Sequence, residues 1–142
     1  MRRHSLSEHG FTLSELLLAS GIMAFVLVGL LQLFITCIFL NESNRNLSVA
    51  TAHGQYVLEE MKNTNFTNFK NSSPNADTYW DWNSAAINSN GLGALNSEAI
   101  ATDAAWVDAG TKDRLDIAVT VSWKDFGLRE RSLVLRTLLT EP

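Results

Sequence analysis

The chain has 142 residues, a formal net charge of −4 and 46% hydrophobic residues. That length suits one small domain and is too short for a barrel enzyme or a two-domain dinucleotide enzyme. The acidic balance argues against a dedicated nucleic-acid-binding protein. One cysteine and three histidines exclude a disulfide scaffold and a cysteine-rich zinc module.

The hydrophobic residues are concentrated near the N-terminus. Residues 11–40 contain 22 of them, and the single charge in this segment is Glu15. From Leu16 to Leu40 there is no charged residue, which corresponds to about 37 Å of helix and is enough to cross a bilayer. Two arginines precede the run and one follows it closely, so the positive-inside tendency places the N-terminus in the cytoplasm and the remainder outside.

An ordinary secretory signal fits this run poorly. Such a signal has a shorter apolar stretch followed directly by a small-x-small cleavage sequence. The nearest such sequence, Ala50-Thr51-Ala52, lies well beyond the end of the run. A secreted domain cleaved near Ala52 therefore stays a minor alternative, beside a single-span anchored binding module that keeps residues 1–10 and never polymerises.

The boundary on the other side of the run is more specific. Residues 1–10 are polar and end at Gly10, and the apolar helix begins at once with Phe11-Thr-Leu-Ser-Glu15. This string resembles the class III signal of type IV prepilins and pseudopilins. The resemblance implies that prepilin peptidase cleaves between Gly10 and Phe11, that Phe11 becomes N-methylated, and that residues 11–40 are kept as a transmembrane and filament-core helix.

Glu15 is the candidate assembly residue. A carboxylate within a membrane helix costs about 2.5–3.5 kcal/mol on insertion scales, so such a residue is a functional hypothesis by default. The resemblance implies that Glu15 pairs with the N-terminal amine of Phe11 on a neighbouring subunit. The alternative is a carboxylate at the lipid–water interface, near a helix start where the helix dipole favours it.

Two departures from major pilins favour a minor pilin or a pseudopilin. The apolar run contains no proline, the first one being Pro74, and the lone Cys37 cannot close a disulfide within the chain. The C-terminal strand pair with its short tail resembles minor pilins of the type IV pilus modification group. We therefore expect a minor pilin of a type IV pilus, with a pseudopilin of a type II secretion or DNA-uptake system as the alternative.

The spacing beyond the run predicts an amphipathic helix over residues 41–64. It either continues the first helix or forms a separate one joined at residues 41–46. Its apolar stripe is predicted to pack on the core and comprises Leu47, Ala50, Gly54, Val57, Leu58 and Met61.

Residues 65–142 are predicted to form a globular head. The composition of residues 63–114 is typical of loops, and we expect residues 95–110 to include a strand. Trp80 and Trp82 either anchor the loop to the sheet, which we favour, or are exposed for a partner. Strict alternation predicts a strand at 115–124, and a turn at 125–127 leads to a second strand at 129–139. The predicted fold is α+β, with a long N-terminal helix packed against a small antiparallel sheet, as in pilins.

No catalytic constellation is visible in the sequence. There is no Ser-His-Asp set, phosphate-binding loop or Gly-rich dinucleotide turn, and His53 is the one histidine after residue 10. The acids Asp103, Asp108, Asp113 and Asp116 lack the spacing of a calcium loop, which favours a solvated acidic segment.

These patterns predict a structural protein with neither enzymatic activity nor a metal or cofactor. Arg129 and Arg131, with Lys124 nearby, could meet a phosphate backbone, but the net charge disfavours nucleic acid as a partner. The partners implied by the resemblance are other pilin subunits, prepilin peptidase, the inner membrane and the pilus assembly machinery. The localisation it implies is the inner membrane, with a single pass, followed by an extracellular or periplasmic filament.

Overall fold

The computed structural model describes residues 12–72, 74–127 and 129–141. The fold is α+β, which confirms the prediction. In chain order the elements are α1 (Leu13–Asn63), α2 (Phe66–Lys70), β1 (Trp82–Asn83), α3 (Ser84–Ser89), β2 (Ala99–Trp106), β3 (Arg114–Lys124) and β4 (Glu130–Thr140). The chain divides into two compact units between Leu40 and Asn41, each of which is described by itself.

The first unit consists of the apolar part of α1. Its residues are exposed on every side, and α1 is the one helix of the described chain that is long and apolar enough to cross a membrane. Two of its hydroxyls donate to the helix backbone, with Ser20 Oγ 2.9 Å from Leu17 O and Thr36 Oγ1 2.9 Å from Gln32 O. A segment that spans a membrane must satisfy its polar groups internally, because the apolar core of the bilayer offers them no hydrogen-bond partners.

The second unit contains an antiparallel sheet in the order β1-β2-β3-β4. The predicted C-terminal hairpin is confirmed, and alternate residues of β3 from Leu115 to Trp123 are buried. In the turn after β3 the Asp125 N–H donates to Arg129 O at 2.8 Å. Gly127 has φ +80°, a conformation that glycine adopts without steric cost.

One face of residues 46–61 of α1 is buried in this unit. Helix α1 is continuous through residues 41–46, so no separate second helix forms. The predicted stripe is confirmed from Ala50 to Met61, but the prediction for Leu47 is wrong, because its side chain is 44% exposed. Asn46 lies on the buried face instead, where its Nδ2 donates to Asp125 Oδ1 at 3.1 Å.

The segment predicted to be loop-rich contains more regular structure than its composition suggested. Helices α2 and α3 begin after Asn65 and Asn83, whose side chains accept backbone N–H groups at 3.0 and 2.9 Å as N-caps. The predicted third strand is β2, and the two-residue strand β1 was not predicted.

The expectation that the two tryptophans are anchors is confirmed. The Trp80 ring is buried 5.8 Å from the ring of Phe69. The ring of Trp82 is half-buried and lies 6.1 Å from that of Tyr56 on α1. Both rings therefore fasten the connection between α1 and β2 to the core.

Of the glycines in α1, Gly54 lies closest to the sheet. A Cβ at this position would lie 2.8 Å from Leu135 Cδ1 and 3.2 Å from Val121 Cγ2. Both distances are shorter than ordinary van der Waals contact. The contact therefore has room for the hydrogen of glycine but not for a methyl group.

We expect Gly54→Val to lower the free energy of unfolding of the head by about 2 kcal/mol, because the added methyl groups overpack the helix–sheet contact. Urea denaturation followed by tryptophan fluorescence measures the change. Gly93→Val is the matched control, since nothing lies within 4 Å of the position that its Cβ would take and the backbone φ is ordinary. A Gly54→Val head as stable as the control would contradict the close contact.

Candidate assembly site

The proposed cleavage residues Gly10 and Phe11 lie outside the described residues, as does the proposed N-methylation of Phe11. The structure therefore begins to describe the candidate site at Thr12. Of the residues named from the sequence, it places Glu15, which lies in the first turn of α1 and is exposed.

Thr12 and Glu15 form a reciprocal cap at the start of α1. Thr12 O accepts the N–H of Leu16 at 3.2 Å, which makes Thr12 the N-cap residue. Thr12 Oγ1 accepts the Glu15 N–H at 3.3 Å, and Glu15 Oε2 accepts the Thr12 N–H at 3.0 Å. The Thr12 hydroxyl also lies 3.0 Å from Glu15 Oε2. This arrangement is a capping box, in which two backbone donors that lack helical partners are satisfied by side chains.

The capping box was missed at the level of sequence, although its signal is present. Thr12-Leu-Ser-Glu15 directly precedes an apolar run, which is the pattern that predicts a capping box. The alternative for Glu15, a carboxylate favoured by the positive end of the helix dipole, is compatible with this geometry. Both bonds to Thr12 use Oε2, and no described Lys, Arg or His forms an ion pair with Glu15.

A buried ionisable pair joins α1 to the sheet and was not predicted. His53 Nδ1 lies 2.8 Å from Glu98 Oε1, and both side chains are almost fully buried. Glu98 Oε2 accepts the N–H of Leu95 at 2.6 Å, so each carboxylate oxygen has a partner. The two residues are 45 positions apart, and no local pattern signals such a contact. The pair is buried between α1 and the residue that directly precedes β2, so it is part of the core.

A second polar contact fixes the turn between β3 and β4 to α1. Asp125 is buried and accepts from Asn46, and its Oδ2 lies 3.6 Å from Arg131 Nε. Burial alone would raise the pKa of Asp125. Hydrogen bonds from the Phe126 backbone and from the Ser43 and Asn46 side chains, with the charge of Arg131, outweigh it and hold the pKa below its ordinary value.

Three of the four acids considered for calcium contact neighbouring protein groups. Asp113 Oδ1 accepts the Thr111 hydroxyl at 3.0 Å, which lowers the pKa of Asp113. Asp108 Oδ1 accepts the Gly110 N–H at 2.8 Å, and Asp116 lies 3.5 Å from an Arg136 nitrogen. Across residues 12–72, 74–127 and 129–141, no group of three or more His, Cys, Asp or Glu side chains is placed to hold a metal ion.

Comparison with protein-family models, curated proteins and solved structures finds no match for this chain. The residues themselves are therefore the basis for any assignment of function. The features on which a proposal can rest are the exposed apolar helix and the capped carboxylate at its start.

We expect Thr12→Ala to speed hydrogen exchange of the Glu15 amide about fivefold, because loss of an N-cap side chain costs about 1 kcal/mol. Amide exchange by NMR, on the chain in detergent micelles, measures the rate. Thr12→Ser keeps the hydroxyl and is the control. Equal exchange rates in all three chains would show that the capping box does not stabilise the helix start.

The lowered pKa of Asp125 predicts an acid-sensitive contribution to stability. The pKa of Asp125 is lower in the folded than in the unfolded chain, where it is about 3.9. Ionised Asp125 therefore stabilises the head at pH values above about 3.9. This contribution is lost as the pH falls below that value. We expect the urea midpoint to fall more steeply between about pH 5 and pH 2 in the wild type than in Asp125→Asn. Asp103→Asn, at an exposed position, should follow the wild type, and parallel curves for all three chains would contradict the prediction.

Proposed function

We propose that this chain is a minor pilin subunit of a type IV pilus. In this proposal prepilin peptidase removes residues 1–10 after Gly10, and Phe11 becomes the methylated N-terminus. The apolar part of α1 first lies in the bilayer and then packs among the helices of other pilin subunits. Glu15 guides docking by pairing with the amine of Phe11 on a neighbouring subunit.

The observation that carries the proposal is the apolar surface of α1 up to Leu40. Within the described chain this surface is exposed on all sides, so it needs an apolar environment supplied from outside. A bilayer supplies that environment to a single helix, and a bundle of similar helices supplies it in a filament. The residues before the helix resemble a prepilin signal, and this favours the filament over a permanent anchor.

The capping box is compatible with processing and with the assembly role of Glu15. Thr12 and Glu15 both follow the proposed cleavage point, so the cap belongs to the mature chain. Because the cap engages Oε2, the other carboxylate oxygen stays able to accept an amine. Pairing two opposite charges in an apolar filament core is far less costly than burying either one alone.

The mass of the N-terminus tests the proposal directly. Intact mass spectrometry of the chain from membranes and from sheared filaments should show a mature chain that begins at methylated Phe11. A retained Met1 would identify a permanently anchored binding module instead. A chain free in the medium without the apolar helix would identify a secreted domain.

The role of Glu15 is tested by variants that separate its charge from its cap. We expect Glu15→Gln to reduce incorporation into filaments at least about tenfold, because glutamine preserves the capping box but cannot neutralise an amine. Thr12→Ala removes the cap and keeps the carboxylate, so it should retain most incorporation. Immunoblots of sheared filaments against membrane fractions measure the ratio. Wild-type incorporation of Glu15→Gln would overturn the pairing mechanism.

A further inference from the structure

Four basic residues lie together at the end of the head where the chain enters it from the apolar run. They are Arg45 on α1, Lys124 at the end of β3, and Arg129 and Arg131 at the start of β4. We call them the basic cluster. The hydrogen bond between Asn46 and Asp125 ties this part of α1 to the β3–β4 turn, and Asp125 also lies 3.6 Å from Arg131 Nε. The fold therefore gathers basic residues that are distant in sequence.

The head neutralises the basic cluster only in part. In the described chain, no ion pair includes a member of the cluster other than Arg131. The segments that carry the cluster, residues 41–46 and 124–131, also contain the acids Glu42, Asp125 and Glu130. Asp125 is buried and accepts a hydrogen bond within the head. Two acids therefore remain at the surface beside four basic residues, in a chain whose net charge is −4.

The covalent chain keeps the basic cluster close to the end of the apolar run. Leu40 ends the run and is bonded to Asn41, the first residue of the head. The helix rises about 7.5 Å from Asn41 to Asn46, and the headgroup layer on one side of a bilayer is about 6 Å thick. When the run spans a membrane, the cluster therefore lies at the level of the headgroups or just beyond them.

The length of the apolar run favours a tilted helix. The segment from Leu16 to Leu40 corresponds to about 37 Å of helix, whereas the apolar core of a bilayer is about 30 Å thick. Excess length is accommodated by tilting, which lowers one flank of the head towards the membrane. A flank that carries lysine and arginine is attracted by anionic lipid. Phe126 in the same turn is 63% exposed, and aromatic rings are favoured at the membrane interface.

A cavity of about 370 Å³ lies beside the cluster. Its lining includes the cations of Arg45 and Lys124, the amides of Asn46 and Asn96, and Phe126. Guanidinium, ammonium and amide groups supply the N–H donors that bind phosphate oxygens, and hydrogen bonds from the charged donors are the stronger ones. The cavity therefore offers donors for a phosphate group next to an exposed aromatic ring.

We propose that the basic cluster and Phe126 dock the head on anionic phospholipid while the subunit is in the membrane. The docking rests on the membrane-inserted stage of the proposed function and adds to it what holds the head before assembly. In a filament the head has left the bilayer, so the docking belongs to the unassembled subunit. A nucleic acid offers the same phosphate chemistry, but it would explain neither the position of the cluster beside the apolar run nor the exposed ring.

A fluorescent label at the tip of the hairpin tests the docking. In a Cys37→Ser background, Phe126→Cys is labelled with NBD, an aromatic dye whose fluorescence lifetime is short in water and long in a membrane interface. The full-length chain is placed in nanodiscs of phosphatidylcholine with and without phosphatidylglycerol. We expect the long-lifetime fraction to be larger with phosphatidylglycerol and to fall as salt is added. A label at Val107→Cys, at the opposite end of the sheet, should stay in water.

Charge variants of the labelled chain test the cluster itself. We expect Arg45→Gln and Arg129→Gln each to lower the ratio of long-lifetime to short-lifetime label about fivefold on phosphatidylglycerol nanodiscs, because each removes one cation near an anionic surface. Arg136→Gln is the matched control. It removes the same charge from an exposed position on β4, paired with Ala118 and about 20 Å along the strand from Glu130.

Three results would each overturn the docking. The first is an equal long-lifetime fraction in the two kinds of nanodisc. The second is an equal loss from Arg129→Gln and Arg136→Gln, which would indicate a general effect of charge. The third is a label that ignores phosphatidylglycerol but responds to a DNA oligonucleotide or to inorganic phosphate, which would identify a soluble ligand instead.

The N-terminal mass of the chain from its native membranes separates this inference from the proposed function. Methylated Phe11 together with a label that ignores phosphatidylglycerol would overturn the docking and leave the pilin assignment supported. A retained Met1 together with a label that responds as expected would support the docking and overturn processing as a pilin.

Discussion

The structure depends on one requirement, that the apolar surface of α1 before Leu40 be covered by something other than this chain. No described residue buries that surface, although it carries large aliphatic and aromatic side chains throughout. A helix meets this requirement because its backbone groups are bonded internally and can enter an apolar medium. The capping box at Thr12 and Glu15 extends the same principle to the first turn, where helical partners are lacking.

The same helix changes its role after Asn41 through its side chains rather than its backbone. Up to Leu40 the helix is apolar all round, whereas from Asn46 to Met61 a single face is buried. A fixed contact with the sheet needs specific partners, and these are polar as well as apolar. Gly54 permits close approach, while Asn46 and His53 form hydrogen bonds to Asp125 and Glu98 that a purely apolar stripe could not make.

The features that sequence predicts well are those with a local cause. The period of two in β3 and β4 reflects one buried face, and the charge-free run before Leu40 reflects a single apolar helix. Leu47 and Asn46 show where this reasoning fails. Helical spacing assigns the apolar Leu47 to the core, whereas its neighbour Asn46 is the buried residue. The partner of Asn46, Asp125, is 79 positions away, so no local signal indicates the contact. The pair of His53 and Glu98 was missed for the same reason.

The charges at the sheet edges have a structural role. Exposed edge strands invite pairing with other strands, and charged side chains discourage it. Asp77 and Asp81 protect β2 in this way by occupying its outward N–H groups, and the arginines of β4 protect the opposite edge.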